Sequence, residues 1–455
     1  MEKLNKKYGL FTAICMVVGI VIGSGIFFKA QDVLKEAGGN ALYSIIAWIV
    51  SGLIMVIIAT TFAVMATKYE KVNGAVDYAE AMCGKGYAYY VGWFMSLIYY
   101  PAMTAVLAWV TARYTLVAIF GNDSKMVSTE CITIALFYLI LAFFINTIAP
   151  RIAGKFQVSS TIVKLVPIAL IAVVGTVIGL LNGTLSTNFA VAEIANNSDG
   201  GLFAAICSTV FAYEGWIVAT SINSEMRDSK KNLPIALCAG TLIIVAAYTL
   251  YNLGILGLAK VGDVTEGGTT VAFGFFGGAI ASIINIFVVI SCLGTLNGLM
   301  LGGVRGIYSL AARGEGFAPD VFTQVDKKTG IPHNSAIFSL MMCGVWFMYF
   351  IGITIGVFDL GAVSKYAFDS SELPIITLYA MYVPILIAMM IKEKELNPLK
   401  RFVLPVFSII GIGVIIYASI DKHEMGNVWY LIVFFLIMLI GFVAQKVNEK
   451  RAASR

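Results

Sequence analysis

The sequence predicts an all-α integral membrane protein with twelve transmembrane helices. Of its 455 residues, 59% are hydrophobic and only 13% are charged, which is unlike the composition of a soluble globular protein. Apolar runs of about 20 residues recur along the chain, and each is long enough to cross a hydrocarbon core of about 30 Å. The predicted spans are residues 10–36, 41–66, 87–119, 129–148, 157–181, 202–224, 233–259, 271–300, 335–354, 366–391, 402–420 and 427–445.

Positively charged residues predict the orientation of these spans. Alternate connecting segments, together with tails at 1–9 and 446–455, hold 23 of the 31 Lys and Arg residues, and Lys164 lies inside a span. Positive charge concentrates on cytoplasmic segments, so we expect both termini in the cytoplasm and the protein in the cell membrane. The first span follows MEKLNKKYG without a small-residue cleavage site, and we expect it to be retained. The opposite face holds only Lys29, Lys35, Arg113, Lys125, Lys260, Lys365 and Lys422.

The first span is interrupted by glycine. The segment GIVIGSGIFFKA, residues 19–30, places Gly19, Gly23 and Gly25 in one membrane helix, where each Gly costs about 1 kcal/mol relative to Ala. Non-helical backbone is tolerated inside a bilayer only where it faces protein or a cavity. A Gly-x-x-x-Gly pair alone more often marks close helix packing, so a second observation is needed to indicate a ligand site.

The sixth span supplies that observation. The segment STVFAYEGWIVAT, residues 208–220, places Glu214 and Gly215 at mid-membrane, where a charge is tolerated when it faces the protein interior. Spans one to five and six to ten then form two repeats, residues 10–181 and 202–391. These repeats must be inverted because each has an odd number of spans, and residues 402–445 add two helices. Paired breaks at matching positions indicate the binding site of a secondary transporter.

Backbone chemistry at the breaks predicts the ligand. The N–H groups that begin the outer half-helix have no partners and lie at the positive end of its dipole, which suits a carboxylate. Carbonyl groups that end the inner half-helix, and others in the second break, suit an ammonium group. An α-amino acid carries both groups at this separation. The predicted substrate-binding residues are Val21, Ile22, Gly23, Ser24, Gly25, Phe211, Ala212, Tyr213 and Glu214.

The segments GIVIGSGIF and FAYEGWIVATSINSEMRDSKKNLPIA resemble the amino acid/polyamine/organocation superfamily. Within it they are similar to the L-type amino acid transporters, including bacterial serine/threonine and alanine/serine/cysteine exchangers. The resemblance covers nearly the whole chain. It implies a LeuT-like fold with a five-plus-five inverted repeat and broken first and sixth helices, sodium-independent exchange of amino acids, and a bacterial source. It also implies that Gly23, Ser24 and Gly25 bind the substrate carboxylate and that Phe211 is the outer gate.

Lys164, in the fifth span, has two interpretations. Its amine either extends to the cytoplasmic interface or is a buried functional cation, and spacing alone favours neither. The resemblance implies the second, with the ammonium in the region that holds sodium in sodium-coupled relatives, and it places Tyr248 near the same site. Ser291 and Asn297 in the eighth span are weaker polar candidates, for which hydrogen bonds between packed helices are the simpler explanation.

Several other functions are disfavoured by the sequence. A channel usually needs a filter of carbonyl or charged rings, and the spans hold no paired-acid, Ser/His/Asp or metal-ligand pattern. His333 and His423 are predicted in loops, as surface residues. The seven cysteines are isolated, and the loop FGNDSKMVSTE has none for a disulfide-linked heavy chain. We therefore expect a monomer with no enzyme activity, no cofactor, no metal and no nucleic-acid partner.

The residues alone do not decide which amino acid is carried or whether transport is coupled to protons. Apolar walls that include Tyr213 and Ile217 favour a neutral substrate of modest size, whereas Glu214 is available as a counter-charge for a cationic one. Titration of Glu214 or Lys164 would instead make the protein a proton-coupled symporter. Asp369 and Glu372, in KYAFDSSELP at the start of the tenth span, are expected only to cap a helix or to line an external vestibule.

Overall fold

The computed structural model describes residues 9–69, 74–121, 127–190, 201–219, 226, 228–358 and 361–453. Helices are the regular elements of these residues, and no strand occurs among them, which confirms the all-α prediction. The first twelve are α1 Leu10–Val21, α2 Gly25–Glu36, α3 Ala41–Lys68, α4 Ala75–Cys83, α5 Lys85–Phe94, α6 Tyr100–Phe120, α7 Thr129–Ile148, α8 Pro150–Leu170, α9 Thr176–Leu181, α10 Thr184–Ala190, α11 Leu202–Thr209 and α12 Trp216–Ala219.

The remaining helices follow the second break. Short π-helical turns join α5 to α6 and α8 to α9, extend α18 and precede α20. These later helices are α13 Ser229–Leu258, α14 Val261–Gly267, α15 Thr270–Gly274, α16 Gly278–Ala311, α17 Pro319–Phe322, α18 His333–Tyr349, α19 Leu373–Lys392, α20 Leu404–His423 and α21 Met425–Ala453.

Eleven of the predicted spans have counterparts of membrane-spanning length. Ten are single helical runs, and the eleventh is the pair α1 and α2, which meets at an angle of 51°. The predicted sixth span, residues 202–224, corresponds to α11 and α12 with an irregular segment between them; residues 220–224 lie outside the described part of the chain. The chain therefore has the helical layout of a multi-pass membrane protein.

Two predicted spans begin later in the structure than the sequence indicates. The eighth span, predicted at 271–300, is α16 in the structure, because Gly277 adopts a φ of +83° and separates α16 from the short α15. The tenth span, predicted from residue 366, begins only at Leu373. Here Asp369 Oδ1 accepts hydrogen bonds from the N–H groups of Ser371 and Glu372 at 2.6 and 3.1 Å, and this turn competes with helix.

Close backbone packing brings the fifth and seventh spans together. A Cβ added at Gly254 of α13 would collide with the carbonyl group of Ile171, and one at Gly257 would collide with that of Gly175. Small residues permit such an approach between membrane helices. Helix α13 also packs along α1 and α3, and α16 packs along α6 and α8. The helices that carry the two breaks are therefore enclosed by other spans.

Candidate substrate site

The first break occupies residues 22–24, between the end of α1 at Val21 and the start of α2 at Gly25. Among the described residues, no carbonyl group accepts a hydrogen bond from the N–H groups of Ser24, Gly25 or Ile26. The start of a helix leaves its first N–H groups unpaired and carries a partial positive charge. This break can therefore bind an anionic group through the backbone alone.

The second break occupies residues 210–215. Helix α11 ends at Thr209, and the backbone turns through Ala212, whose N–H group donates to the Thr209 carbonyl oxygen at 2.9 Å. Gly215 then adopts a φ of +107°, a conformation that strongly favours glycine. Helix α12 resumes at Trp216. The glycine thus permits the change of direction that separates the two halves of this segment.

The two breaks are in direct contact. A Cβ added at Gly25 would lie 2.5 Å from the Cα atom of Ala212, so a larger residue would separate them. The hydroxyl group of Tyr248, on α13, lies 3.2 Å from the carbonyl oxygen of Val21 and 3.1 Å from that of Ala212. Since a hydroxyl has one proton, it donates to one of these carbonyls at a time. Tyr248 therefore bridges the ends of both breaks.

A cavity of about 510 Å³ opens beside the contact between the breaks. The structure brings seven of the nine predicted binding residues to its wall, and Ile217 also lines it; the seven are Val21, Gly23, Ser24, Gly25, Phe211, Ala212 and Glu214.

Two predicted wall residues do not face this cavity. Ile22 is fully buried in the core. Tyr213 turns away, because its hydroxyl group donates to the carbonyl oxygen of Trp48 at 2.7 Å and its ring packs against the Trp48 ring. The prediction that Ile22 and Tyr213 line the binding site is therefore wrong for this cavity.

The sequence analysis missed many of the cavity residues, among them Tyr99, Ile20 and Thr295. The hydroxyl group of Tyr99 donates to Glu214 Oε1 at 2.9 Å, and Glu214 Oε2 is buried without a hydrogen-bond partner among the described groups. Ile20 lines the cavity and its carbonyl oxygen accepts no hydrogen bond from any described donor. Thr295, on α16, faces Gly23. Tyrosine, isoleucine and threonine are ordinary in apolar spans, so no local signal distinguishes them.

Lys164 is buried, with 1% of its surface exposed, and its ammonium group donates a hydrogen bond to the carbonyl oxygen of Gly19 in α1. This placement matches the buried interpretation, not the interfacial one. Lys164 does not line the cavity. Ser291, on α16, is also buried, and its hydroxyl has no partner among the described groups. Lys164 therefore contacts the inner half-helix rather than the cavity wall.

An aromatic layer closes the cavity on one side. The ring of Phe211, which lines the cavity, packs edge-on against Phe28 at 5.8 Å, and Phe28 packs in the same way against Trp109 at 5.8 Å. Phe28 and Trp109 line a second cavity of about 690 Å³ that shares no wall residue with the first. Phe211 thus lies at the boundary between the first cavity and this second cavity, which is on the predicted outer side.

Buried ion pairs reinforce this closure. Glu372, which is fully buried, accepts hydrogen bonds from Lys29 at 2.6 Å and from Lys422 at 3.0 Å, and His423 Nε2 lies 3.0 Å from its Oε2 atom. The sequence analysis predicted only a capping or vestibule role for Glu372 and a surface position for His423, and both expectations are incomplete. Glu372 is 343 residues from Lys29 and 50 from Lys422 in the sequence, and partners this far apart give no local sequence signal. We refer to Lys29, Glu372, Lys422 and His423 as the outer cluster.

The cavity opens at its other end. Its wall continues past Ser309 to Gly74 and Arg313, and Arg313 forms ion pairs with Asp77 at 2.6 Å and Glu80 at 3.3 Å. Arg305 and Arg313, predicted on the cytoplasmic side, are therefore found at this end, whereas Lys29 and Lys422, predicted on the opposite face, belong to the outer cluster. The structure is closed toward the predicted outside and open toward the predicted inside.

Known proteins have sequences similar to that of this chain. The model of a family described as amino acid permease matches residues 8–443. The chain is 32% identical to the serine/threonine exchanger SteT of Bacillus subtilis, over 68% of this chain and 69% of that one. It is 27% identical to the human b(0,+)-type amino acid transporter 1, over 96% and 87%. It is 29% identical to the rabbit large neutral amino acids transporter small subunit 2, over 74% and 63%.

Proposed function

The chain belongs to the amino acid permease family, and on that premise we propose that it exchanges small neutral L-amino acids across the cell membrane by alternating access. Its relatives are named as amino acid transporters and as a serine/threonine exchanger, and the residues form a multi-pass helical protein with a LeuT-like fold. The observation that carries the proposal is the junction of two backbone breaks at one cavity. Exchange of this kind requires no catalytic residues, cofactor or covalently linked subunit.

The substrate binds across the two breaks. Its carboxylate accepts hydrogen bonds from the N–H groups of Ser24 and Gly25, and its ammonium group donates to the Ile20 carbonyl oxygen. The cavity volume, about 510 Å³, lies within the range of about 300–1,000 Å³ common for small-molecule sites. Apolar neighbours such as Ile217 and Met103 suit a neutral side chain. Phe211 then covers the bound amino acid from the outer side.

Sodium independence follows from Lys164. Its ammonium group already supplies a fixed positive charge at the carbonyl end of α1, through the hydrogen bond to Gly19. A sodium ion would need a shell of oxygen ligands at the same place. The buried ammonium group of Lys164 prevents a second cation from binding there. In this proposal the termini are cytoplasmic, the source is bacterial, the chain acts as a monomer, and the two repeats at 10–181 and 202–391 move relative to each other.

One observation favours a second candidate. Glu214 is a buried acid in the substrate cavity, and its Oε2 atom has no hydrogen-bond partner among the described groups. An ionised Glu214 suits a cationic amino acid, and a titrating one suits proton-coupled uptake. Either alternative uses the same backbone site for the α-amino and α-carboxyl groups.

Proteoliposomes separate these possibilities. We expect uptake of labelled serine or alanine only when unlabelled amino acid is present inside, with the same rate in sodium and in choline buffers. Competition by the twenty amino acids should show inhibition by small neutral ones and little by arginine. Uptake into empty vesicles under an imposed pH gradient would support the symporter, and strong competition by arginine or lysine would support the cationic exchanger.

A further inference from the structure

Three potential metal ligands meet in and beside the outer cluster. Cys207 lies on α11, Glu372 directly precedes α19, and His423 ends α20. The sulfur of Cys207 lies 3.5 Å from Glu372 Oε2, which lies 3.0 Å from His423 Nε2, and the three ligand atoms fall within 4.8 Å of one another. None of these residues lines the substrate cavity.

The donor set suits a zinc ion. Zinc binds thiolate, imidazole and carboxylate ligands tetrahedrally at about 2.0–2.3 Å, and three protein ligands are often completed by water. Tetrahedral ligands at these bond lengths lie about 3.3–3.7 Å apart. The separation of 3.5 Å between Cys207 and Glu372 already fits, the separation of 3.0 Å between Glu372 and His423 must lengthen slightly, and that between Cys207 and His423, which is at most 4.8 Å, must shorten by up to about 1 Å. Rotation of the partly exposed His423 side chain can supply this movement, because its exposed fraction is 10%.

The charges around this group favour an added cation. Lys29 and Lys422 each pair with Glu372, but Lys29 also pairs with Asp32 at 3.5 Å and Lys422 with Glu36 at 3.5 Å. Asp369 lies close enough to attract both lysines. Four acids therefore face two lysines, which leaves a net charge of −2 when His423 is neutral. A divalent cation would offset this excess, and the thiolate that forms at Cys207 would leave the group with a net charge of −1.

We infer that Cys207, Glu372 and His423 form a site for a thiophilic divalent cation such as Zn²⁺, a role beyond the proposed amino acid exchange. Binding displaces Lys422 from Glu372 toward Glu36, and the thiol of Cys207 releases its proton to water. Lys29 keeps its contact with the other carboxylate oxygen. Because the three ligands come from three separate helical segments, the bound ion holds the outer side closed and inhibits exchange.

A direct binding measurement tests the site without relying on transport. Purified, tag-free protein is titrated with ZnCl₂ by calorimetry and with CdCl₂ by following the ultraviolet absorbance of the cadmium–thiolate bond. We expect one ion per chain in the parent protein. Cys207→Ser and His423→Gln should each weaken zinc affinity by about 100-fold or more, and Cys207→Ser should also abolish the absorbance. Cys238→Ser, at a cysteine outside the cluster, is the matched control and should bind normally.

Lys422→Gln should have the opposite effect on zinc affinity. It removes the cation that competes for Glu372 and should therefore tighten zinc binding. Zinc added outside proteoliposomes should slow exchange by the parent protein and have much less effect on the His423→Gln variant. Equal zinc affinity in the parent, Cys207→Ser and His423→Gln proteins would overturn the inference, as would the absence of binding in the parent. Failure of amino acid exchange would contradict the proposed function and leave the calorimetric result standing.

Discussion

The two ends of the substrate pathway differ in the residues and contacts that form them. On the predicted outer side, the rings of Phe211, Phe28 and Trp109 pack edge-on in series, and the fully buried Glu372 pairs with two lysines. On the predicted inner side, the cavity wall is rich in glycine and small residues and stays open as far as Arg313. One end is closed by specific side-chain contacts, and the other end is open between helices.

This difference indicates how each end changes state. A few side chains close the outer end, and they belong to elements far apart in sequence, so single substitutions there should open it. The inner end has no comparable lid among the described residues, and closing it requires movement of whole helices. The four substitutions below test this difference between the two ends. They alter the backbone breaks, the outer cluster, the lysine behind the inner half-helix and the aromatic layer, in that order.

Gly25→Val should have the largest effect, because it disrupts the contact on which both ends depend. A branched side chain would overlap Ala212 and block the approach of a carboxylate to the N–H groups. We expect loss of measurable serine and alanine binding to purified, monodisperse protein. Gly413→Val is the control, since Gly413 is exposed and has no atom within 4 Å of its added Cβ. Near-normal substrate affinity in Gly25→Val would contradict the proposal that backbone N–H groups at this break bind the carboxylate.

Glu372→Gln should open the outer end. Breaking a buried ion pair costs about 3–5 kcal/mol, because it leaves buried charge poorly compensated. Here Lys29 and Lys422 would keep only their 3.5 Å pairs with Asp32 and Glu36. We expect Cys207, which is fully buried, to react faster with a membrane-impermeant maleimide added outside, in a variant whose other cysteines are serine. Glu449→Gln, which affects an exposed pair with Lys446, should leave labelling unchanged. Equal labelling in both variants would mean that the outer cluster does not keep this end closed.

Lys164→Ala should reduce exchange without creating sodium dependence. The substitution removes the ammonium group from the Gly19 carbonyl but adds none of the oxygen ligands that a hard cation needs. Apparent substrate affinity should weaken more on one face of the membrane than on the other. Lys164→Met retains much of the side-chain volume and should behave similarly if the charge matters. Exchange rates and affinities equal to those of the parent on both faces would show that Lys164 has no part in the transport cycle. Lys230, which is exposed, supplies the control alanine variant.

Phe211→Ala should have the smallest effect on binding. It removes one ring contact, worth about 1 kcal/mol, and leaves the N–H and carbonyl groups of the breaks in place. Exchange should slow by a larger factor than affinity falls, because the ring covers the bound substrate before the site reopens inside. Affinity and exchange rate are measured on one preparation, with the exposed Phe435→Ala as control. Equal losses in both quantities would make Phe211 an ordinary wall residue.

Most of the membrane layout was predictable, because hydropathy and glycine act locally. The broken first span is a pair of helices bent by 51°, as the run of glycines and serine predicts. The starts of α16 and α19 were misplaced because a positive φ at Gly277 and the turn at Asp369 override apolar composition. Within the site, Ile22 and Tyr213 were assigned to the wall wrongly, since side-chain direction at a break does not follow helical periodicity.

The sequence by itself determined that the chain crosses a membrane repeatedly and that two of its spans are interrupted. Both conclusions follow from the cost of burying charge and unpaired backbone in hydrocarbon. Tertiary structure alone decided which carbonyl group Lys164 contacts, that Tyr248 bridges the two breaks, and that Glu372 gathers two lysines and a histidine. These contacts join residues up to several hundred positions apart, and only the packing of helices brings such residues within hydrogen-bond distance.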